Sequence, residues 1–523
     1  MNKKRIGFLS ATFLGISSII GSGWLFAPYN AASVAGPAAL ASWGIGAIVI
    51  IFLALCFAEV ASLYPKRGLS AIIPTLSHNK FFGFPFAIAN WLGIIAVIGL
   101  EADATIQYLI NLFPKIESIF FSHGQLSLYG NTLSITLVLL YSLVNYWGAK
   151  TMTRTNNVLV VLKVIVPVVV SLIIIGVAFH PGNFKLVGHS YVPYGFGSII
   201  SGILSTGIII AFNGFQTVIS FASEIKKPQR TIPLSLIVSV VFCLGVYLLL
   251  QVAFIGSIPA TALTHGWHQL TMHAPMVQLS VMLGLGLLTS IIYFGATIAP
   301  TGTAITFVGT STRMFTAMSR NGQMPKQFDS VHPKYGVSRP SLVVNTILAI
   351  LFLLAFRSWG QLAQVLSIFH VISYLPIPIA LCVFRNCMKH DKYPFLLPAG
   401  KSIAFVLFAI FTFLITMGNV STVADILGIF GACQLAFIAF NVKSIDELLS
   451  AVRQCSLLLV YFAGLYVLTA ISPLHSNYLS DSSFAILLIA FISLSFIGLI
   501  KFENNDRAII ESSVNIYNSD AKA

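Results

Sequence analysis

The sequence predicts an all-α polytopic membrane protein, and three observations lead there. Of 523 residues, 57% are hydrophobic and 8% are charged, against roughly 25% charged in a soluble domain. The mean hydropathy is +0.90. The apolar residues run in blocks of about 20, the length a helix needs to cross hydrocarbon, separated by short polar links. A soluble enzyme, a disordered chain and a secreted disulfide scaffold are excluded. The net charge of +14 is no nucleic-acid footprint, because the cations gather beside the ends of apolar blocks and form no basic domain or stripe. Cys56, Cys243, Cys382, Cys387, Cys433 and Cys455 lack metal-ligand spacing and read as free thiols. No metal or cofactor is implied.

Fourteen apolar spans follow in order, near 6–30, 38–63, 82–110, 132–149, 157–179, 198–222, 233–256, 276–311, 341–356, 360–384, 402–418, 422–440, 456–472 and 483–500. The first follows Lys3, Lys4 and Arg5 and runs through Gly21-Ser22-Gly23 past Pro28 with no small-residue cleavage site. It therefore reads as a span and not as a removed leader. With the N-terminus inside, every second link should be cationic. All lysines and arginines fall in those links or at the termini except Lys115, Lys163, Lys185 and Arg357. That bias predicts cytoplasmic N- and C-termini in a multi-pass protein of the cell membrane. The link Thr264-His265-Gly266-Trp267-His268, between spans 7 and 8, fits both a cap over a vestibule and an interfacial loop with Trp267 at headgroup level.

Two spans carry interruptions. Span 1 contains Ile20-Gly21-Ser22-Gly23-Trp24, and span 6 contains Ala211-Phe212-Asn213-Gly214-Phe215-Gln216. Glycine inside a helix costs about 1 kcal/mol against alanine, and Asn in hydrocarbon needs a partner. Close packing through small residues explains either site alone. Both, however, fall in the opening span of a five-span half, which favours paired broken helices in an inverted repeat. Residues 1–195 would form the first repeat, 196–390 the second, 391–502 an accessory set of spans 11–14, and 503–523 a cytoplasmic tail. Such a pair suits an amino-acid zwitterion. The N–H groups of Ser22, Gly23 and Trp24 would meet its carboxylate, and the carbonyls around Ile20 and Phe212 its ammonium group. Asn213 and Gln216 are neutral groups placed to read a substrate side chain.

These residues resemble the amino acid–polyamine–organocation permeases. The span 1 string from Gly15 to Phe26 is similar to that superfamily's glycine-rich signature, as is Glu59 followed by Tyr64-Pro65 and Gly68. So are span 6 with its exit, Phe212-Asn213-Gly214-Phe215 through Glu224 to Pro233, and the link Arg313 to Pro325. Fourteen spans, with Asn145-Tyr146-Trp147-Gly148 and Phe254 to Pro259, look most like the bacterial aspartate–proton symporter branch. The resemblance implies a LeuT-like 5+5 inverted-repeat core, broken helices 1 and 6, and alternating access. Gly68-Leu69 departs from it where two glycines are usual.

Ionisable residues inside spans are functional candidates by default. Lys163 stands four residues before Pro167, whose missing N–H frees the Lys163 carbonyl, and a buried amine exchanges its proton within reach of physiological pH. The competing reading is a lysine that snorkels to the interface. In proton-coupled relatives a span 5 lysine resembling Lys163 takes the place of a coupling cation between spans 1 and 8. Lys163 is thus expected to carry the coupling proton and to touch span 1 between Gly15 and Gly21. Glu101 and Asp103 of span 3 point to different faces. Lining the transport pathway and sitting in water near the headgroups are both open, with the second favoured for Asp103. Glu59 and Glu224, at the inner ends of spans 2 and 6, are expected to pair with Lys or Arg as gate or tether. His370 is expected to be a packing histidine.

No nucleophile–base pair, phosphate loop or metal cluster occupies the links, so no enzyme is expected. The expectation is secondary active, proton-coupled symport of an acidic or neutral amino acid. The partners are the amino acid, protons and the lipid bilayer, with no nucleic acid, and monomer and homodimer both stay open. An exchanger of amino acids or amines is the first alternative, and sodium coupling through Thr301, Thr303, Ser311 and Thr312 the second. A channel would need a polar pore stripe and a sensor a signalling domain; neither is found.

Overall fold

The computed structural model describes residues 6–63, 69–113, 115, 117–122, 125–147, 149–222, 225–388, 393–476 and 478–501. Span 1 is a pair of helices, α1 (Phe8–Ile19) and α2 (Gly23–Ala35), with three residues between them out of helical register. There follow α3 (Ala39–Leu63), the short α4 (Leu69–Ser77) and the long α5 (Lys80–Ile110). A one-turn helix α6 (Glu117–Phe120) and a two-stranded antiparallel ladder, β1 (Phe121–Ser122) with β2 (Gln125–Leu126), lead to α7 (Leu128–Tyr146) and α8 (Ala149–Ala178).

The sixth span is broken twice. It comprises α9 (Gly197–Ser205), α10 (Ile208–Ala211) and α11 (Gln216–Ser220). Gly207 (φ +87°) and Gly214 (φ +107°) take left-handed backbone angles at the two interruptions. Only the second is foreseen from the sequence.

Beyond lie α12 (Pro228–Ser257), α13 (Pro275–Met282), α14 (Gly286–Arg320) and α15 (Arg339–Ala355). The expected single span 360–384 is α16 (Trp359–Tyr374) and α17 (Pro376–Cys387), parted at Leu375 because Pro376 offers no N–H. The last four are α18 (Gly400–Thr416), α19 (Val420–Asn441), α20 (Ile445–Ile471) and α21 (Asp481–Lys501). Among the described residues, ten helical segments are long and apolar enough to cross a membrane, and α1, α15 and α18 are shorter apolar helices beside them.

Helix starts follow local chemistry. Asn79 accepts from Phe81 and Phe82 N–H at 2.9 and 2.8 Å, and Ser127, Ser338, Ser358, Asn419 and Ser444 cap α7, α15, α16, α19 and α20. Each cap contributes about 1 kcal/mol.

Packing follows an inverted repeat. Helix α5 lies along α14, and α3 along α12; α16 packs on α5 as α8 packs on α14. Exchanging spans 1–5 with 6–10 maps each of these pairs onto itself or onto another. Helices α18 to α21 lie outside this core, against α5, α16 and α17. The His78 ring reaches them with Nε2, 2.9 Å from the Leu499 carbonyl, and Gln434 donates to the Phe81 carbonyl at 3.1 Å. These contacts fasten the start of α5 to the accessory helices. The link after α12 is a cap: Trp267 is fully buried against Gly36, and Tyr29 donates to the Leu270 carbonyl at 2.8 Å.

Candidate functional site

The two interruptions meet. Gly214 backs onto the Ser18 carbonyl, so closely that any side chain there would collide with it. Tyr247 of α12 spans both breaks, donating to the Ile19 carbonyl at 3.1 Å and the Ala211 carbonyl at 2.8 Å. Between the breaks, α5, α14 and α16 line a cavity of ≈ 20 Å³, about the room one water needs. Gly21, Ser22, Gly23, Ala211, Asn213 and Glu101 face it, as do Thr303, Phe307 and Trp359.

Ile20, Trp24, Phe212, Gly214 and Gln216, also expected at the site, stand one layer behind. The Trp24 ring lies against Gly295 of α14, and Phe212 packs edge-on to Trp43 and Tyr247. The Ile20 carbonyl, expected to be open, accepts from Thr303 Oγ1 at 3.0 Å.

Glu101 takes the position at which a substrate carboxylate was expected. Its Oε2 accepts the Ser22 N–H at 2.8 Å, just ahead of the first turn of α2. An N–H at a helix start has no intrahelical partner, and the helix dipole favours an anion there. Gly21 is required by this contact, because a Cβ on it would overlap the Glu101 carboxylate. The headgroup reading for Glu101 is therefore corrected: the residue is 3% exposed, at the break itself. The same reading, favoured for Asp103, is corrected too: Asp103 is 0% exposed, and it does not line the cavity.

Lys163 enters from α8. Its Nζ donates to the Ser17 carbonyl and to Thr303 Oγ1, both at 2.6 Å, so one ammonium group joins α1, α8 and α14. The side chain is 1% exposed and does not snorkel. Of the hydroxyls weighed for sodium, Ser311 and Thr312 donate to the Val308 carbonyl and Thr301 pairs with Tyr141.

On the span 6 side, Asn213 Oδ1 accepts from Gly214 N–H at 2.8 Å and Gln216 Nε2 at 2.9 Å. Its Nδ2 is buried without a partner among the described residues. Tyr374 reaches Asn213 and Gln216 at 3.4 Å. Trp359 closes the other side: its indole donates to Ser22 Oγ at 2.9 Å and its ring stacks on Phe26 at 4.6 Å. Sequence reasoning missed Trp359 and Tyr247, which carry no local signal.

Glu59 is held by Arg385 of α17, whose Nε and Nη2 donate to its two oxygens at 2.7 Å each, and by the Leu397 N–H at 2.8 Å. The expected cationic partner is thus an arginine of the second half. Glu224 lies outside the described residues. His370 packs on Gly93 with Nδ1 2.8 Å from the Leu366 carbonyl.

A bundle with paired breaks around a small buried site is an architecture that transporters use. The comparisons agree. Residues 6–427 match the family model described as amino acid permease, and the chain belongs to that family, within the amino acid–polyamine–organocation superfamily. It is 37% identical to the glutamate/serine transporter AimA of Bacillus subtilis over 75% of this chain and 72% of that protein. It is 32% identical to the aspartate-proton symporter of the same organism, over 86% of each. A crystal structure of a manganese transporter from Eremococcus coleocola shares the fold, with a TM-score of 0.53 at 14% identity, covering 93% of this chain and 96% of that one. The chain is an amino acid transporter and not an enzyme.

Proposed function

We propose that this permease is a proton-coupled symporter of acidic or neutral amino acids, working by alternating access in the cell membrane with both termini cytoplasmic. The observation that carries the reading is the Lys163 ammonium group, which bridges the Ser17 carbonyl of α1 and Thr303 of α14. Charged, it clamps the broken helix to α14. Neutral, it keeps fewer donors and a weaker hold, so proton release inside loosens the clamp and lets α1 move. Removing a charge-assisted hydrogen bond costs about 1.5–3 kcal/mol, enough to bias a two-state element.

The substrate's α-carboxylate takes the N–H groups at the start of α2 after displacing Glu101. The unpartnered Asn213 Nδ2 donates to the side-chain carboxylate. Serine and glutamate as well as aspartate fit a site with neutral readers, in keeping with what the two relatives carry. The repeats divide at 195/196 and 390/391, spans 11–14 serve as an accessory shell, and the chain crosses the membrane fourteen times.

The test is uptake of labelled aspartate into sodium-free proteoliposomes, at clamped voltage, with the common amino acids and polyamines as competitors. One proton per substrate makes a gradient of one pH unit equal to about 1.36 kcal/mol, or about tenfold accumulation. Accumulation that ignores the proton gradient, or that requires sodium or an internal amino acid, sinks the reading.

A further inference from the structure

Helices α7 and α15 pack together without closing over each other. Ser142 Oγ and Thr346 Oγ1 join them at 2.7 Å. Outside that bond runs a groove of ≈ 340 Å³, walled by Leu139, Leu143, Val343 and Ile347. All four side chains are exposed, so the groove opens towards what surrounds the bundle, and around apolar spans that is hydrocarbon. Its α15 wall runs from Leu342 to Ile350, a rise of about 12 Å. One leaflet offers about 15 Å of hydrocarbon.

The end of the groove where α15 begins is different. Tyr146 lines it, with the exposed Trp147 against its ring, and such aromatic residues mark the headgroup level of a bilayer. The Arg339 guanidinium lies over the Tyr146 ring, 4.1 Å from its centre, and 5.3 Å from that of Tyr335. Lys334 Nζ stands 5.5 Å from the same Tyr335 ring. No carboxylate pairs with either cation among the described residues, where Asp329 holds Arg320 and Glu59 holds Arg385. Arg339 Nε is buried without a hydrogen-bond partner among the described residues. Ring faces attract the cation but leave its N–H groups unanswered. Arg339 also opens α15, where the helix dipole favours an anion.

The geometry points to a site for an anionic phospholipid, with an acyl chain in the groove between α7 and α15 and its phosphate on Arg339. A soluble anion would leave the groove unfilled, and an uncharged lipid would leave two cations unpaired. Basic pockets between membrane helices take such headgroups, and a guanidinium suits a phosphate's paired oxygens. The groove shares no residue with the cavity at the break, so the site stands whether or not transport is proton-coupled. A lipid seated there ties α7 to α15 and makes their packing depend on the anionic content of the membrane.

Titrating phosphatidylglycerol or phosphatidylcholine onto the delipidated full-length protein in detergent, read by native mass spectrometry, tests it. The wild type is expected to retain phosphatidylglycerol at concentrations where phosphatidylcholine is lost. Arg339→Gln should weaken that retention about tenfold or more, the loss of a hydrogen-bonded charge. Arg453→Gln, which removes an exposed cation of α20, should leave it unchanged. Val343→Trp fills the groove from an exposed position and should abolish retention; it is the readout if Arg339→Gln does not fold. Equal retention of the two lipids, or retention that Arg339→Gln or Val343→Trp leaves intact, overturns the site. So does displacement by inorganic phosphate alone, which would make it a site for a free anion. A lipid-free dimer that Val343→Trp splits would overturn it as well, giving the groove to a second copy of the chain.

Discussion

Replacing Glu101 by Gln separates two roles for a carboxylate at the break. In the structure the Glu101 carboxylate holds the Ser22 N–H at 2.8 Å, one of the donors a substrate carboxylate needs. Substrate must therefore displace it. A hydrogen bond to a charged group contributes about 1.5–3 kcal/mol, and one between neutral groups about 0.5–1.5. The amide oxygen of Gln keeps the contact in its weaker form, so displacement becomes easier by about 1–1.5 kcal/mol. That corresponds to about five- to tenfold tighter aspartate binding. Equilibrium binding of labelled aspartate to the purified wild type and Glu101→Gln, at one pH and without sodium, measures it. Weaker binding in the variant would refute the competition and make Glu101 a ligand for the substrate's ammonium group.

Other perturbations have equally definite outcomes. Gly21→Ala places a methyl group in the Glu101 carboxylate; overpacking of about 1–3 kcal/mol at the break should cut aspartate uptake by about fivefold or more, while size-exclusion chromatography still reports a folded protein. Asn213→Asp turns the unpartnered donor facing the cavity into an acceptor, so competition assays should show affinity moving from aspartate towards serine. Trp359→Phe keeps the stack on Phe26 but loses the indole bond to Ser22 Oγ, which at about 0.5–1.5 kcal/mol should raise the KM for uptake two- to tenfold. Arg385→Ala leaves Glu59 buried with its charge unpaired; breaking such a pair costs about 3–5 kcal/mol, and thermal unfolding should show a lowered midpoint that Arg385→Lys partly restores.

The breaks were legible because glycine beside Ser or Asn weakens an apolar helix, and because the same weakness recurs in the opening span of each half. Lys163 was legible because a charge in the middle of a span stands out, and its partner fell within the stretch expected for it, at Ser17. What escaped was orientation. Helix α5 is buried on every side, its most apolar window 100% buried, so no amphipathic stripe tells Glu101 from Asp103. The first faces the break and the second is buried away from it, a difference set by packing alone. Trp359 and Tyr247 reach the span 1 break from positions more than 200 residues away in the chain, and nothing local marks them. The second interruption of span 6 at Gly207 escaped too, because an isolated glycine there reads equally well as close packing.

The most direct test of the central claim couples a pH-sensitive dye inside proteoliposomes to labelled aspartate outside, in wild type and in Lys163→Ala. Adding aspartate to wild-type vesicles should acidify the lumen, one proton for each substrate. The Lys163→Ala variant should still exchange labelled for internal aspartate but neither acidify the lumen nor accumulate substrate on a proton gradient. Acidification that persists in the variant would contradict Lys163 as the coupling group.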